Sequence, residues 1–168
     1  MSILIDRAKF FAEVAHAGQT LKYSNDPYIT HPIRVSEIVA HNGGTDDMVA
    51  AALLHDVVED TPVTHDEIRI KFGTVVGDLV FGLTDVDLSK GNRKTRKALD
   101  RDRIANASAD VQLIKLADFI DNTGSIVRND PNFAQLYLQE KSQMLEVMDK
   151  VKDHPLFRIA SIPIAEAA

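Results

Sequence analysis

Apolar residues recur every three to four positions along almost the whole chain, and the strict alternation typical of strands is nearly absent. We therefore predict an all-α fold, organised as one helical domain over residues 1–168. Glycine, proline and capping residues mark the helix ends. The predicted helices span about 3–17, 32–42, 45–61, 65–73, 74–83, 93–107, 109–128 and 131–152, and the C-terminal helices within 131–168 are expected to complete the bundle.

Composition narrows the chemistry that this domain can perform. The 168 residues include no cysteine, so any metal site must use His, Asp or Glu. The formal net charge of −6 argues against general nucleic-acid binding. The apolar N-terminal patch is interrupted by Asp6 and Arg7, so we predict neither a signal segment nor a membrane span and expect a cytoplasmic protein.

The stretch "AALLHDVVEDT", residues 51–61, places four ionisable groups at the end of an apolar helix. A continuous helix would stack His55 over Glu59 and Asp56 over Asp60. Carboxylates in a last helical turn oppose the helix dipole, at a cost of a few tenths to about 1 kcal/mol each. Two interpretations remain: a solvent-exposed helix end, or residues that bind a cation and take part in a reaction.

Two further ligand-type residues stand in apolar surroundings. His31 precedes Pro32 at a predicted helix start, and Asp118 lies within "LIKLADFIDNT". Together with His55 and Asp56 they form a mixed nitrogen and oxygen set suited to Mn²⁺, Fe²⁺, Zn²⁺ or Mg²⁺. Spacing alone leaves open whether the four side chains meet.

A basic run, "KGNRKTRKALDRDR", opens the helix predicted at 93–107. Cationic side chains at a helix N-terminus suit a bound anion such as pyrophosphate. The alternative is a solvated charged face, because Asp100 and Asp102 follow and offset the run. The basic residues are Lys90, Arg93, Lys94, Arg96 and Lys97.

The ordered series "AHAGQ", "PYITHP", "ALLHDVVEDT", "LTDV", "GNRKTRKALDR" and "IKLADFIDNT" spans about residues 15–125. It resembles the HD-domain metal-dependent phosphohydrolases, in particular the small RelA/SpoT-type alarmone hydrolases that lack a synthetase domain. In these motifs His31, the pair His55-Asp56 and Asp118 match the family pattern His…His-Asp…Asp.

The resemblance implies an HD-domain helical bundle with one bound ion, most often Mn²⁺. The reaction would be hydrolysis of the 3′-pyrophosphate of guanosine tetra- or pentaphosphate to GDP or GTP and pyrophosphate. The implied metal ligands are His31, His55, Asp56 and Asp118, and Glu59 and Asp60 would act on the attacking water. The implied substrate contacts are Lys22, Asn122 and Tyr137. With the resemblance, Arg93 and Lys97 become candidates for binding substrate phosphates.

Three positions depart from the family pattern. Leu21, Phe119 and Gly124 stand where basic residues are frequent, and an apolar residue cannot replace the planar, bidentate recognition that arginine gives. Hydrolysis of another phosphorylated nucleotide, and a binding module that senses an alarmone without turnover, therefore stay as alternatives. A homo-oligomer is possible. His16, within "AHAGQ", is predicted to form a local hydrogen bond.

Overall fold

Ten α-helices account for most of residues 2–167, the part of the chain that this computed structural model describes. The described residues contain no strand beyond an isolated bridge between Thr20 and Pro27, so the prediction of an all-α fold is confirmed. The helices are α1 (Ile3–Ala15), α2 (Thr30–His41), α3 (Asp46–Leu54), α4 (Val57–Asp60), α5 (His65–Phe72), α6 (Thr74–Leu83), α7 (Arg93–Asn106), α8 (Ala109–Asn129), α9 (Pro131–Leu145) and α10 (Pro155–Ala167).

The chain forms two compact units, an N-terminal unit (Met1–Thr84) and a C-terminal unit (Asp85–Ala168). Helix α3 is the core of the N-terminal unit, since every residue from Met48 to Leu54 is buried. It packs against α1, α2 and α6. The Thr45 side chain begins α3 by accepting a hydrogen bond from the Met48 amide at 3.3 Å, which satisfies one of the otherwise unpaired first-turn donors.

The helix predicted over 45–61 is interrupted at His55 and Asp56, so the prediction of one continuous helix is wrong. Helix α3 ends at Leu54 and the short α4 begins at Val57. In a regular helix the Ala52 carbonyl would accept the Asp56 amide. Here His55 Nδ1 lies 2.7 Å from that carbonyl oxygen, so a side chain competes with the backbone donor for it. His55 and Asp56 therefore lie in the junction between α3 and α4 and not within one continuous helix.

Helix α8 is the core of the C-terminal unit. All residues from Val111 to Phe119 are buried, and they include polar residues. Gln112 shows how such a group is satisfied, because its Nε2 donates to the Ile104 carbonyl at 2.8 Å and its Oε1 accepts from the Lys150 amide at 3.1 Å. Buried polar groups paired in this way hold neighbouring segments in register.

The C-terminal region differs from the sequence prediction in one respect, the end of α9. Helix α9 ends at Leu145 instead of about residue 152, and a single 3₁₀ turn, Asp149–Val151, follows. The tail continues as α10 across Pro163 and packs against α8 and α9 of its own unit. Within residues 2–167, no helix combines the length and the apolar character needed to cross a bilayer.

Candidate active site

His31, His55 and Asp56 converge in the N-terminal unit. Helix α2 supplies His31 from its first turn, and the junction between α3 and α4 supplies the other two residues. Asp56 Oδ2 lies 3.6 Å from His31 Nε2 and 3.1 Å from His55 Nε2. The two imidazole rings meet edge to face at a centroid distance of 5.2 Å, and both histidines are buried. Two nitrogen donors and one carboxylate thus face a common point.

The hydrogen bond of His55 fixes the role of its two ring nitrogens. The Ala52 carbonyl can only accept, so Nδ1 is the protonated nitrogen at the 2.7 Å contact. In a neutral imidazole Nε2 then carries the lone pair, and it points toward the Asp56 carboxylate. Two electron-rich atoms at this separation are stable together when a cation shares them. This donor set fits a divalent metal ion, which prefers neutral imidazole and carboxylate ligands.

Tyr28 orients the carboxylate at this point. Its hydroxyl donates a hydrogen bond to Asp56 Oδ2 at 2.7 Å. Burial, and then the negative charge of Asp56, raise the pKa of the Tyr28 hydroxyl, so it remains a neutral donor at physiological pH. Partners of this kind, one step removed from a metal, fix the geometry of the ligands.

Glu59 and Asp60 lie on α4, one turn beyond the junction. Gln19 holds this turn in place, since its Nε2 donates to the Asp60 carbonyl at 2.9 Å. The Gln19 Oε1 in turn accepts from His16 Nδ1 at 2.8 Å, which confirms the local hydrogen bond predicted for His16. Partial burial of the Asp60 carboxyl, and then the charge of Asp56, raise the pKa of Asp60 above its ordinary value.

Asp118 belongs to the C-terminal unit, where it lies on α8 and is buried. Asn122, one turn further along the same helix, donates its Nδ2 to Asp118 Oδ1 at 2.6 Å. The Lys115 ammonium lies 3.3 Å from Oδ2. Both contacts favour the ionised carboxylate, the form in which an aspartate binds metal.

A cavity of about 230 Å³ opens within the C-terminal unit. Four of the predicted substrate contacts line it: Arg93, Lys97, Asn122 and Tyr137. Charged groups that the sequence reasoning did not assign line it as well: Asp85, Lys115, Glu140 and Lys141. Of the five residues in the basic run, two therefore face this cavity, which makes the solvated-face interpretation insufficient for them.

Two carboxylates hold most of the cations in this cavity. Arg93 forms two hydrogen bonds to Glu140, each 2.7 Å long. Asp85 lies 2.5 Å from the Lys97 ammonium and 3.4 Å from that of Lys115. Burial alone would raise the pKa of Asp85, but the charges of Lys115 and Lys97 hold it well below the usual range. Asp85 is therefore ionised at neutral pH.

The last predicted substrate contact, Lys22, lies in the N-terminal unit on the loop after α1. It is exposed, its ammonium donates to the Tyr23 hydroxyl at 2.9 Å, and it stands 4.7 Å from the centre of that ring. The structure thus places Lys22 on the surface of its unit.

Several polar residues of these sites were not predicted from the sequence. Tyr28, Gln19, Asp85 and Lys115 stood inside the motifs that carry the resemblance, so their position in a motif was the available signal. Lys141 had no such signal, because a lysine on an amphipathic helix ordinarily faces solvent.

The chain is similar to several known proteins. The sequence profile described as HD domain matches residues 8–145. A Xenopus tropicalis protein named guanosine-3′,5′-bis(diphosphate) 3′-pyrophosphohydrolase MESH1 is 35% identical over 132 residues, covering 77% of this chain and 73% of that protein. A Haemophilus influenzae guanosine-3′,5′-bis(diphosphate) 3′-pyrophosphohydrolase is 39% identical over 115 residues, which cover 66% of this chain and 17% of that protein.

Several of the matched relatives are much longer than this chain, which spans 17% to 18% of their length. A solved structure is similar over nearly the whole fold. It was reported under the description "A metazoan ortholog of SpoT hydrolyzes ppGpp and plays a role in starvation responses". The TM-score is 0.87 and the identity 28%, with 99% of this chain and 96% of the other covered.

Proposed function

The chain belongs to the HD-domain family, and we propose that it is a metal-dependent hydrolase that removes the 3′-pyrophosphate of guanosine tetra- or pentaphosphate. Water would cleave the bond between the 3′ oxygen and phosphorus, giving pyrophosphate and GDP or GTP. The convergence of His31, His55 and Asp56 carries this proposal. The names of the relatives that are similar in length and in fold support the choice of substrate.

The proposed metal ligands are His31, His55, Asp56 and Asp118, and the proposed ion is Mn²⁺. A bound divalent ion lowers the pKa of its water toward neutrality and offsets negative charge on a phosphate oxygen. The chain contributes the orientation of the ligands. Ala52 fixes the protonated nitrogen of His55, and Tyr28 holds one oxygen of Asp56.

Glu59 and Asp60 are the proposed groups that accept and position the proton of the attacking water. Both carboxylates lie on α4, one turn beyond the proposed ligand Asp56, within the same unit. Glu59→Gln keeps the size of the side chain and removes its basicity. It is expected to lower kcat by about 10²- to 10⁴-fold with metal content unchanged. Full activity of Glu59→Gln would assign the base elsewhere.

The cavity of the C-terminal unit is the proposed location for part of the nucleotide. It presents four cationic side chains against two carboxylates, so its lining carries a positive excess. Phosphoryl transfer depends mainly on positioning and on neutralising charge, and such a lining supplies both. Asn122 and Tyr137 add a hydrogen-bonding amide and an aromatic surface.

A panel of nucleotides tests the substrate. The Mn²⁺-loaded protein is incubated with guanosine tetraphosphate, GDP, 3′-phosphorylated guanosine and 5′-monophosphates of other bases, and the products are separated by anion-exchange chromatography. The proposal expects pyrophosphate and GDP from guanosine tetraphosphate at the highest kcat/KM. Release of orthophosphate from monophosphates with no pyrophosphate from the tetraphosphate would refute it.

Metal analysis tests the proposed ligand Asp118. Asp118→Ala is expected to lose bound Mn²⁺ after gel filtration, whereas Asp110→Ala, a change of the same charge at an exposed first-turn position of α8, is expected to keep it. Equal metal content in the two purified variants would remove Asp118 from the ligand set. Circular dichroism of both variants controls for folding.

A further inference from the structure

Lys141, on α9, places a cation in the cavity of the C-terminal unit without a carboxylate to match it. Its ammonium lies 3.4 Å from the centre of the Phe119 ring and 4.8 Å from that of Tyr137. Among the residues that the structure describes, these aromatic faces are its close contacts, and no acidic side chain lies within ion-pair distance. This separates Lys141 from its neighbours.

The other three cations of the cavity are all paired. Arg93 is held by Glu140, Lys97 by Asp85 and Asp100, and Lys115 by Asp85 and Asp118. Burial, together with the like charges of Lys115 and Lys97, lowers the pKa of Lys141. Of the four cations that line the cavity, Lys141 is therefore the one whose close contacts are aromatic rings rather than carboxylates.

The two aromatic rings hold this ammonium in place without supplying a counter-charge of their own. An ammonium over a ring face is attracted by the negative face of the π system. That attraction fixes the position of the Lys141 ammonium, but the rings carry no net negative charge. The ammonium can therefore still bind an anion. Phosphate oxygens are strong acceptors for such a charge-assisted hydrogen bond.

The size of the cavity limits what the anion can be. About 230 Å³ is below the roughly 300 to 1,000 Å³ of sites that enclose a drug-sized ligand. The cavity can take a phosphate or diphosphate group, with the remainder of a nucleotide outside it. Asn122 and Lys115 line the same space and offer further N–H donors.

We propose that Lys141 forms an anion subsite in which its ammonium, seated on Phe119 and Tyr137, binds a phosphate group of the nucleotide substrate. This inference rests on the proposed function and deepens it, because it names a residue that selects for the number of phosphates on the ligand.

Binding measurements with non-reacting probes test the subsite. Isothermal titration calorimetry with inorganic pyrophosphate and GDP, and NMR titration with guanosine, are performed on the metal-loaded protein. The variants are Lys141→Met and Lys141→Arg. Lys152→Met is the matched control, since Lys152 is a surface lysine paired with Asp149 and its replacement removes the same charge.

Lys141→Met is expected to weaken GDP and pyrophosphate binding by about 10- to 100-fold relative to Lys152→Met, the effect of losing a hydrogen bond to a charged group. Guanosine binding should stay unchanged, and Lys141→Arg should keep most of the affinity for GDP. Equal GDP and pyrophosphate affinities in the two methionine variants would overturn the subsite, as would an equal loss for GDP and guanosine, because the latter indicates a role in shaping the cavity.

Activity on guanosine tetraphosphate separates the two proposals. If the wild-type protein does not hydrolyse it but Lys141→Met still loses affinity for pyrophosphate, the substrate assignment fails and the subsite stands. If hydrolysis occurs and Lys141→Met has the wild-type KM, the function stands and the subsite fails. A KM increase with little change in kcat supports both, as expected for a contact made equally in the ground state and the transition state.

Discussion

Replacing Lys141 with methionine should stabilise the folded protein at neutral pH. Burial, together with the charges of Lys115 and Lys97, lowers the pKa of Lys141 from 10.5 to about 7, against the favourable charges of Asp118 and Asp85. Each pKa unit corresponds to about 1.4 kcal/mol, so the protonated side chain costs at most about 5 kcal/mol of folding free energy.

The expected gain is smaller than this limit. Lys141 is partly accessible to solvent, and screening reduces the electrostatic cost. Methionine keeps the length and apolar character of the stem but loses the attraction to the Phe119 and Tyr137 rings, about 0.5–2 kcal/mol. A net stabilisation of about 1–3 kcal/mol at pH 6 is therefore expected.

The gain should depend on pH with a defined sign. Between pH about 7 and 10.5 the unfolded chain holds a proton on Lys141 that the folded protein has released. The free energy of unfolding contributed by this group therefore rises with pH across that window. The advantage of Lys141→Met over the wild type should be full below pH 7 and should shrink toward pH 10.

Urea unfolding followed by circular dichroism at several pH values from 6 to 10 measures the effect. The informative quantity is the difference in unfolding free energy between wild type and variant, because other titrating groups cancel in it. Lys152→Met serves again as the control for the loss of one lysine charge at the surface. An advantage of Lys141→Met that stays constant from pH 6 to 10, or a loss of stability at pH 6, would refute the reasoning.

Two other substitutions test the charge arrangement of the sites. Tyr28→Phe removes the hydroxyl bonded to Asp56 and should lower metal affinity or turnover by about 10- to 100-fold; unchanged values in metal titration and kinetics would exclude an orienting role. Asp85→Asn leaves Lys97 and Lys115 without their shared carboxylate and should destabilise the fold by about 1–3 kcal/mol in urea. An Asp85→Asn variant as stable as wild type would show that these pairs contribute nothing net.

The helices that the sequence predicted well are those with strong local signals at both ends. Thr64 caps α5 by accepting the Glu67 amide at 3.2 Å, and Gly73 ends it with a φ of 90°, which a residue with a side chain rarely adopts. Pro131 occupies the first position of α9, where its missing N–H has no consequence. Capping chemistry is local, so a single sequence contains it.

The interruption of α3 and the placement of Lys141 could not be predicted in the same way. A histidine competes for the Ala52 carbonyl only when its ring folds back onto its own helix, and residue spacing does not encode that rotamer. The resemblance indicated that Phe119 stands where a basic residue is frequent in the family. It could not show that a lysine 22 positions later, on a different helix, lies over that ring. Contacts between helices depend on packing and leave no periodic signal.

Each unit thus contains one group of ionisable side chains held close together. In the N-terminal unit, the Nε2 atoms of two imidazoles lie 3.1 and 3.6 Å from one carboxylate oxygen of Asp56. In the C-terminal unit, a partly buried ammonium stands beside two further lysines. Sequences are generally consistent from local preference to packing, and departures concentrate where a ligand supplies the missing charge. A cation fits the first arrangement and a phosphate the second, as the proposed metal-dependent hydrolysis of a phosphorylated nucleotide requires.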